Sequence, residues 1–98
     1  MEKRTPHSSL AEVKSLVSQG KVRTTQAARI GASELGLELS DVLAVVMALK
    51  RHEFRKSMTT HADHRIWQDV YCHDTCMGAV YLKLTVTDDL LIVSFKEL

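Results

Sequence analysis

Cysteine is scarce in this chain of 98 residues, with only Cys72 and Cys76 present, four positions apart. That excludes the disulfide framework of a small secreted domain and points to a reducing cytosol. Apolar runs are short: the longest, Val42 to Leu49, has eight residues, too few to span a bilayer or form a signal-peptide core. Charge of one sign is also missing. Thirteen Lys and Arg against 12 Asp and Glu leave a formal charge of +1, so no global field attracts a polyanion and any nucleic-acid contact must be local. There is no Walker A loop, nucleophile elbow or His-Glu-x-x-His, which removes the common nucleotide, hydrolase and zinc-protease signatures. No repeat, linker or low-complexity stretch divides the chain.

What is present fits a globular protein: 45% hydrophobic and 26% charged residues, enough for one compact domain over residues 1–98 with a modest core. Residues 1–52 carry eight Lys/Arg and five Asp/Glu, whereas residues 53–98 carry five and seven. Basic side chains in that acidic second half call for individual explanations.

Ser9 and Glu12 have capping-box spacing and predict a helix with Leu10, Val13, Leu16 and Val17 inward, closed at Gly20. Thr24 or Thr25 caps a second, with Ala27, Ala28, Ile30 and Leu35 inward and Gly36 at its end. Ser40 with Asp41 opens a third, burying Val42, Val45, Val46 and Leu49. After Lys50 the period changes to alternation, which predicts strands over Phe54 to Met58, His64 to Tyr71, Val80 to Val86 and Leu90 to Phe95. Lys3 to Thr5 and Lys21 to Arg23 are candidate edge strands. The fold class is α+β, with three N-terminal helices packed on a C-terminal antiparallel β-sheet.

Counting across the turns predicts register. A two-residue turn at Asp88-Asp89 sets Lys83 opposite Ser94 and Tyr81 opposite Lys96, with Leu82, Leu84 and Val86 sharing a face with Leu91, Val93 and Phe95. A turn at Asp74-Thr75 brings Gln68 opposite Tyr81, and a loop centred on Ala62 brings Lys56 opposite Gln68. Lys56, Gln68, Tyr81 and Lys96 then form one row across four strands. Such a row is either a set of solvated side chains or a phosphate and base platform. On the second reading RNA is the natural substrate, because its 2′-hydroxyl is an internal nucleophile beside each phosphate. Metal-free cleavage needs a base for that hydroxyl, cations for the phosphorane charge and an acid for the leaving oxygen. A lysine serves as base only where burial or neighbouring cations lower its pKa.

Elsewhere Trp67 and Phe54 are expected in the core, and Met58 is either flexible packing or the wall of a base pocket. His7, beside Pro6, is the histidine with the best case for titrating in a site. Cys72, His73 and Cys76 have too few partners for a structural zinc, so no metal or other cofactor is expected. A non-catalytic module that docks RNA or protein on the same face is the competing class.

Met1-Glu2-Lys3-Arg4-Thr5-Pro6-His7, Lys56-Ser57-Met58-Thr59-Thr60, Ile66-Trp67-Gln68-Asp69-Val70-Tyr71, Val80-Tyr81-Leu82-Lys83 and Leu91-Ile92-Val93-Ser94-Phe95-Lys96 together resemble the MqsR toxins, the motility quorum-sensing regulators of bacterial toxin–antitoxin systems. The resemblance covers essentially the whole chain. It implies a RelE-like ribonuclease fold and a cytoplasmic mRNA interferase that cleaves single-stranded mRNA at short GC-containing sites without the ribosome. It also implies neutralisation by an MqsA-like antitoxin with a zinc-bearing toxin-binding domain and a helix-turn-helix domain. Functional positions carry over at Lys56, Gln68 and Tyr81, with Lys96 as a supporting cation; Lys83, Arg55, Met58 and His7 are candidate RNA contacts. Arg55 stands where an aromatic is common in the family and Asp88 where a histidine is found.

Overall fold

A computed structural model describes all residues, Met1–Leu98. Strand β1 (Glu2–Lys3) is followed by α1 (Leu10–Ser18), β2 (Val22–Thr24), α2 (Gln26–Glu34) and α3 (Leu39–Ala48). A 3-10 turn at Arg51–Glu53 leads into β3 (Phe54–Thr59), β4 (Trp67–Thr75), β5 (Gly78–Val86) and β6 (Leu90–Glu97). The six strands form one sheet in the order β1-β3-β4-β5-β6-β2, antiparallel except for the β2–β6 pair. The helical half of the sequence thus supplies both edges of the sheet.

Helix boundaries follow from local chemistry. Ser9 Oγ accepts from the Glu12 amide at 3.1 Å and starts α1. Thr25 does the same for α2 through Ala28, also at 3.1 Å. The third helix begins earlier than Ser40: Glu38 is its cap, because the Asp41 carboxylate reaches back to the Glu38 amide at 2.8 Å. Val13 from α1, Ala28 and Ala32 from α2, and Val42, Val45 and Val46 from α3 bury against Tyr71, Val80, Leu82, Leu84, Leu90, Ile92 and Phe95. The helices therefore cover one sheet face. The expected inward positions Ala27 and Ile30 are exposed, since the contact stripe of α2 runs through Ala28 and Ala32.

Gly31 is where α2 meets β6 backbone to backbone: a Cβ placed there would lie 1.8 Å from the Phe95 carbonyl oxygen. The atoms it would strike are backbone, which has no rotamer with which to yield. Gly31→Ala should therefore cost at least about 2–3 kcal/mol, on the overpacking scale, read as a lower urea midpoint with an unchanged slope.

Two β-bulges decide which side chains reach the uncovered face. Phe54 and Lys56 have the same parity and would share a face in a regular strand, but the β3–β4 register shifts between them. Phe54 packs on the core and Lys56 lies on the other side. The β5–β6 register shifts between Lys83 and Leu84, leaving Val93 as the extra residue. Its carbonyl accepts from Thr25 Oγ1 at 2.7 Å, so the cap of α2 also secures the bulge.

This second bulge corrects the expected hairpin. The turn has three residues between Val86 and Leu90 instead of two, and Leu90, Ile92 and Phe95 are buried, not Leu91 and Val93. The longer turn and the bulge cancel beyond Val93. Lys83 still pairs with Ser94 and Tyr81 with Lys96.

Candidate functional site

The face free of helices carries Lys56 and Met58 of β3, Gln68, Val70 and Cys72 of β4, Tyr81, Lys83 and Thr85 of β5, and Ser94 and Lys96 of β6. All four residues expected in one row lie on it, but they do not form that row. Strand β4 runs on through Thr75 and turns at Cys76-Met77, with Gly78 at φ +108°, so Cys72 and not Gln68 faces Tyr81. The β3–β4 loop is closed by Thr60, whose Oγ1 donates to the Asp63 carbonyl at 2.8 Å, and its centre falls at residue 63 instead of 62. Lys56 accordingly faces Val70, and Gln68 faces Met58.

The resulting arrangement is a ring around Val70. Lys56 and Lys83 stand opposite it on the flanking strands, Gln68 and Cys72 lie two residues along its own strand, and Tyr81 and Met58 occupy diagonal positions. Val70 is only 2% exposed, yet it does not belong to the core under the helices. The side chains around it are therefore its cover. From strand spacing and rise, the Lys56 and Tyr81 positions are about 12 Å apart and those of Gln68 and Tyr81 about 14 Å. Long side chains close the first gap: the Lys56 ammonium is near enough to act on the Tyr81 phenol.

Burial pushes the Tyr81 phenol above its ordinary range, and the Lys56 ammonium offsets only part of that. Lys96 Nζ lies 5.1 Å from the Tyr81 ring centroid, a cation–π contact that supports the ring from the far side of the hairpin. Lys56 Nζ is 3.3 Å from Glu2 Oε1 on edge strand β1. Spacing in the sequence gave no sign of that contact, because the pairing of β1 with β3 joins residues more than fifty positions apart. Lys83 occupies a more central place than a peripheral RNA contact would.

Two candidate contacts fall outside the ring. His7 belongs to the helix side of the sheet: its amide and that of Ser8 each donate to the Asp69 carboxylate at 3.0 Å, and its ring stacks on Trp67 at 5.4 Å. Trp67 is not in the core as expected; it lies at the sheet margin with Lys3 Nζ 4.2 Å from its centroid. Arg55 is the bulged residue of β3, with its guanidinium turned to the carbonyls of His52 and Phe54 at 3.4 Å. Met58 is half-buried beside Gln68.

The Cys72 to Cys76 segment is split by the strand: Cys72 points to the open face, Cys76 sits in the exposed turn, and His73 points to the helix side. There His73 Nδ1 meets Glu53 Oε2 at 2.7 Å. Burial pushes the Glu53 carboxyl up, but the Lys50 amide and His73 together hold it below its ordinary value. A depressed carboxyl stabilises the fold above its unfolded pKa, and that contribution is lost as pH falls through the lower folded value. Stability should thus drop on the acid side of pH 4.5, the reference value for this group. Glu53→Gln should flatten that acid limb in urea titrations.

The largest concavity lies elsewhere, between α1, α3 and β2, lined by Val17, Val22, Arg23, Leu39, Leu43 and Leu91. Arg23 there is already paired with Asp89 at 2.9 Å. A cavity suits a small ligand. A shallow sheet face with three lysines, a phenol and an amide suits a polymeric anion.

Two comparisons bear on what this face serves. Residues 5–97 match the family described as "Motility quorum-sensing regulator, toxin of MqsA". The chain belongs to the MqsR toxin family. A curated relative, the mRNA interferase toxin MqsR of Escherichia coli (strain K12), is 56% identical over 97 residues, covering 99% of each chain. The span matched to the MqsR toxins holds every member of the ring around Val70, and starts after Glu2.

Proposed function

We infer that this chain is an mRNA interferase toxin, an endoribonuclease whose reaction takes place on the open sheet face. The observation that carries the reading is the 56% identity over 97 residues to a protein of that activity. It is supported by a face that gathers Lys56, Lys83, Lys96, Tyr81 and Gln68 around one buried valine. These are the groups that 2′-hydroxyl attack calls for, with cations for the phosphorane and a phenol that keeps its proton.

In this proposal Lys56 is phosphate ligand or base, Tyr81 proton donor or phosphate ligand, Gln68 a positioning group and Lys96 an electrostatic support. Lys83 joins Lys56 on the phosphate, and Met58 lines the path of the RNA. The substrate is single-stranded mRNA cut at short GC-containing sites without ribosomes or a metal, in the cytoplasm, by one RelE-like domain over residues 1–98. The expected partner is an MqsA-like antitoxin with a zinc-bearing toxin-binding domain and a helix-turn-helix domain. No helix of the chain is long and apolar enough to cross a membrane.

Incubation of the purified protein with a defined transcript, in EDTA and without ribosomes, tests the reading. Discrete cuts at GC-containing sites are expected. RNA that is bound but stays intact under all conditions would assign the face to docking without turnover.

A further inference from the structure

Accepting that this face cleaves RNA, the reaction turns on which group takes the proton from the 2′-hydroxyl. The ring supplies donors and cations in plenty. The phenol of Tyr81 is pushed toward its protonated form by burial, and Gln68 has no titrating group. A lysine becomes a base when it is buried or crowded by other cations. Lys56 has a side chain that is 37% exposed and an ammonium paired with a carboxylate, an arrangement that suits a phosphate ligand. His7, the one imidazole with a sequence case, is anchored on the opposite face through Asp69.

The carboxylate at Lys56 belongs to Glu2. We propose that Glu2 is the general base of this site. Its Oε1 is 3.3 Å from Lys56 Nζ. A phosphate oxygen held by the same ammonium at about 2.8 Å would therefore lie within about 6 Å of the carboxylate. That gap admits the 2′-hydroxyl next to the phosphate, with the carboxylate on one side and phosphorus on the other. The strand that carries Glu2 is fixed in place: Glu2 pairs with Met58 and Lys3 with Ser57, the Met1 carbonyl accepts from the Thr59 amide at 2.9 Å, and Asp69 ties down residues 7 and 8. Half exposure at 48% leaves the Glu2 carboxylate open to substrate. Asp74 also lies on this face, but beyond Cys72 at the exposed hairpin end, away from Lys56.

The step balances as a transphosphorylation. The 2′-hydroxyl proton passes to Glu2 as the 2′-oxygen bonds to phosphorus; the bond from phosphorus to the 5′-oxygen breaks; Tyr81 protonates that oxygen. The products are a 2′,3′-cyclic phosphate and a 5′-hydroxyl, and solvent returns Glu2 and Tyr81 to their starting states.

The test is single-turnover cleavage of a defined RNA between pH 4 and 9 by the untagged protein and by Glu2→Gln and Glu2→Asp, alongside binding of the same RNA carrying a 2′-deoxy nucleotide at the cut site. Glu2→Gln should slow cleavage by about a hundredfold or more, abolish the acid limb of the rate profile and bind the 2′-deoxy RNA at least as tightly. Glu2→Asp should keep the acid limb. Native rate with an intact acid limb in Glu2→Gln would overturn the proposal, as would a loss of RNA binding in step with the loss of rate. Failure of the unsubstituted protein to cut RNA would instead refute the nuclease reading itself.

Discussion

Tyr81→Phe is expected to slow RNA cleavage by about a hundredfold or more, the loss that follows removal of a proton-transfer group, while leaving the fold and RNA affinity nearly unchanged. Only the hydroxyl is deleted. The ring keeps its place between Cys72 and Lys96 and its cation–π contact at 5.1 Å. Burial favours the protonated phenol, which is the state a donor to the leaving oxygen requires. The second tyrosine supplies an internal control. Tyr71 faces the helices at 1% exposure, its hydroxyl has no hydrogen-bond partner, and burial followed by the nearby Asp69 pushes it up to about 12. Tyr71→Phe should retain full cleavage and lose no stability, because it removes an unsatisfied buried polar atom. Single-turnover gel assays with urea denaturation of both variants separate the two roles. Equal cleavage by both would remove the phenol from the mechanism.

Lys56→Ala should cost about 10²–10³ in rate, the range found when one preorganised donor to a developing oxyanion is removed. Lys83→Ala should act in the same direction, since both ammonium groups flank Val70. Affinity should change less than rate: losing one phosphate contact to a single strand lowers the salt slope by only about 0.7. Lys56→Arg restores charge without the original point geometry, so partial recovery is expected. A salt titration of binding to uncleavable RNA, next to the single-turnover rate, checks both statements. A rate loss no larger than the affinity loss would reduce Lys56 to a docking residue.

The alternation of Val80 to Val86, the cap at Ser9 and, to within one residue, the cap at Thr25 were legible in the sequence because each rests on local chemistry. The face shared by Lys56, Tyr81, Lys83 and Lys96 was legible for the same reason. Parity survives a turn misplaced by an even number of residues, and the error at the β4–β5 turn was of that kind. The row itself was not legible, since pairing across a turn depends on where the turn falls. Asp74-Thr75 has turn-like residues, but Gly78 takes the positive φ, and it was the one glycine of the second half. The bulges at Arg55 and Val93 carried a signal that alternation alone misreads: Phe54 with Lys56, and Ile92 with Ser94, put an apolar and a polar residue at one parity. The Glu2–Lys56 pair had no local signal, as it depends on a two-residue strand returning to the sheet edge.

The most direct test of the central claim, that the ring around Val70 turns the 2′-hydroxyl on its own phosphate, is the chemistry of the cut ends. A defined transcript cleaved in EDTA should yield upstream fragments ending in a 2′,3′-cyclic phosphate and downstream fragments that a kinase labels at the 5′-hydroxyl without prior dephosphorylation. Fragments carrying a 5′-phosphate and a 3′-hydroxyl, or cutting that EDTA abolishes, would contradict it.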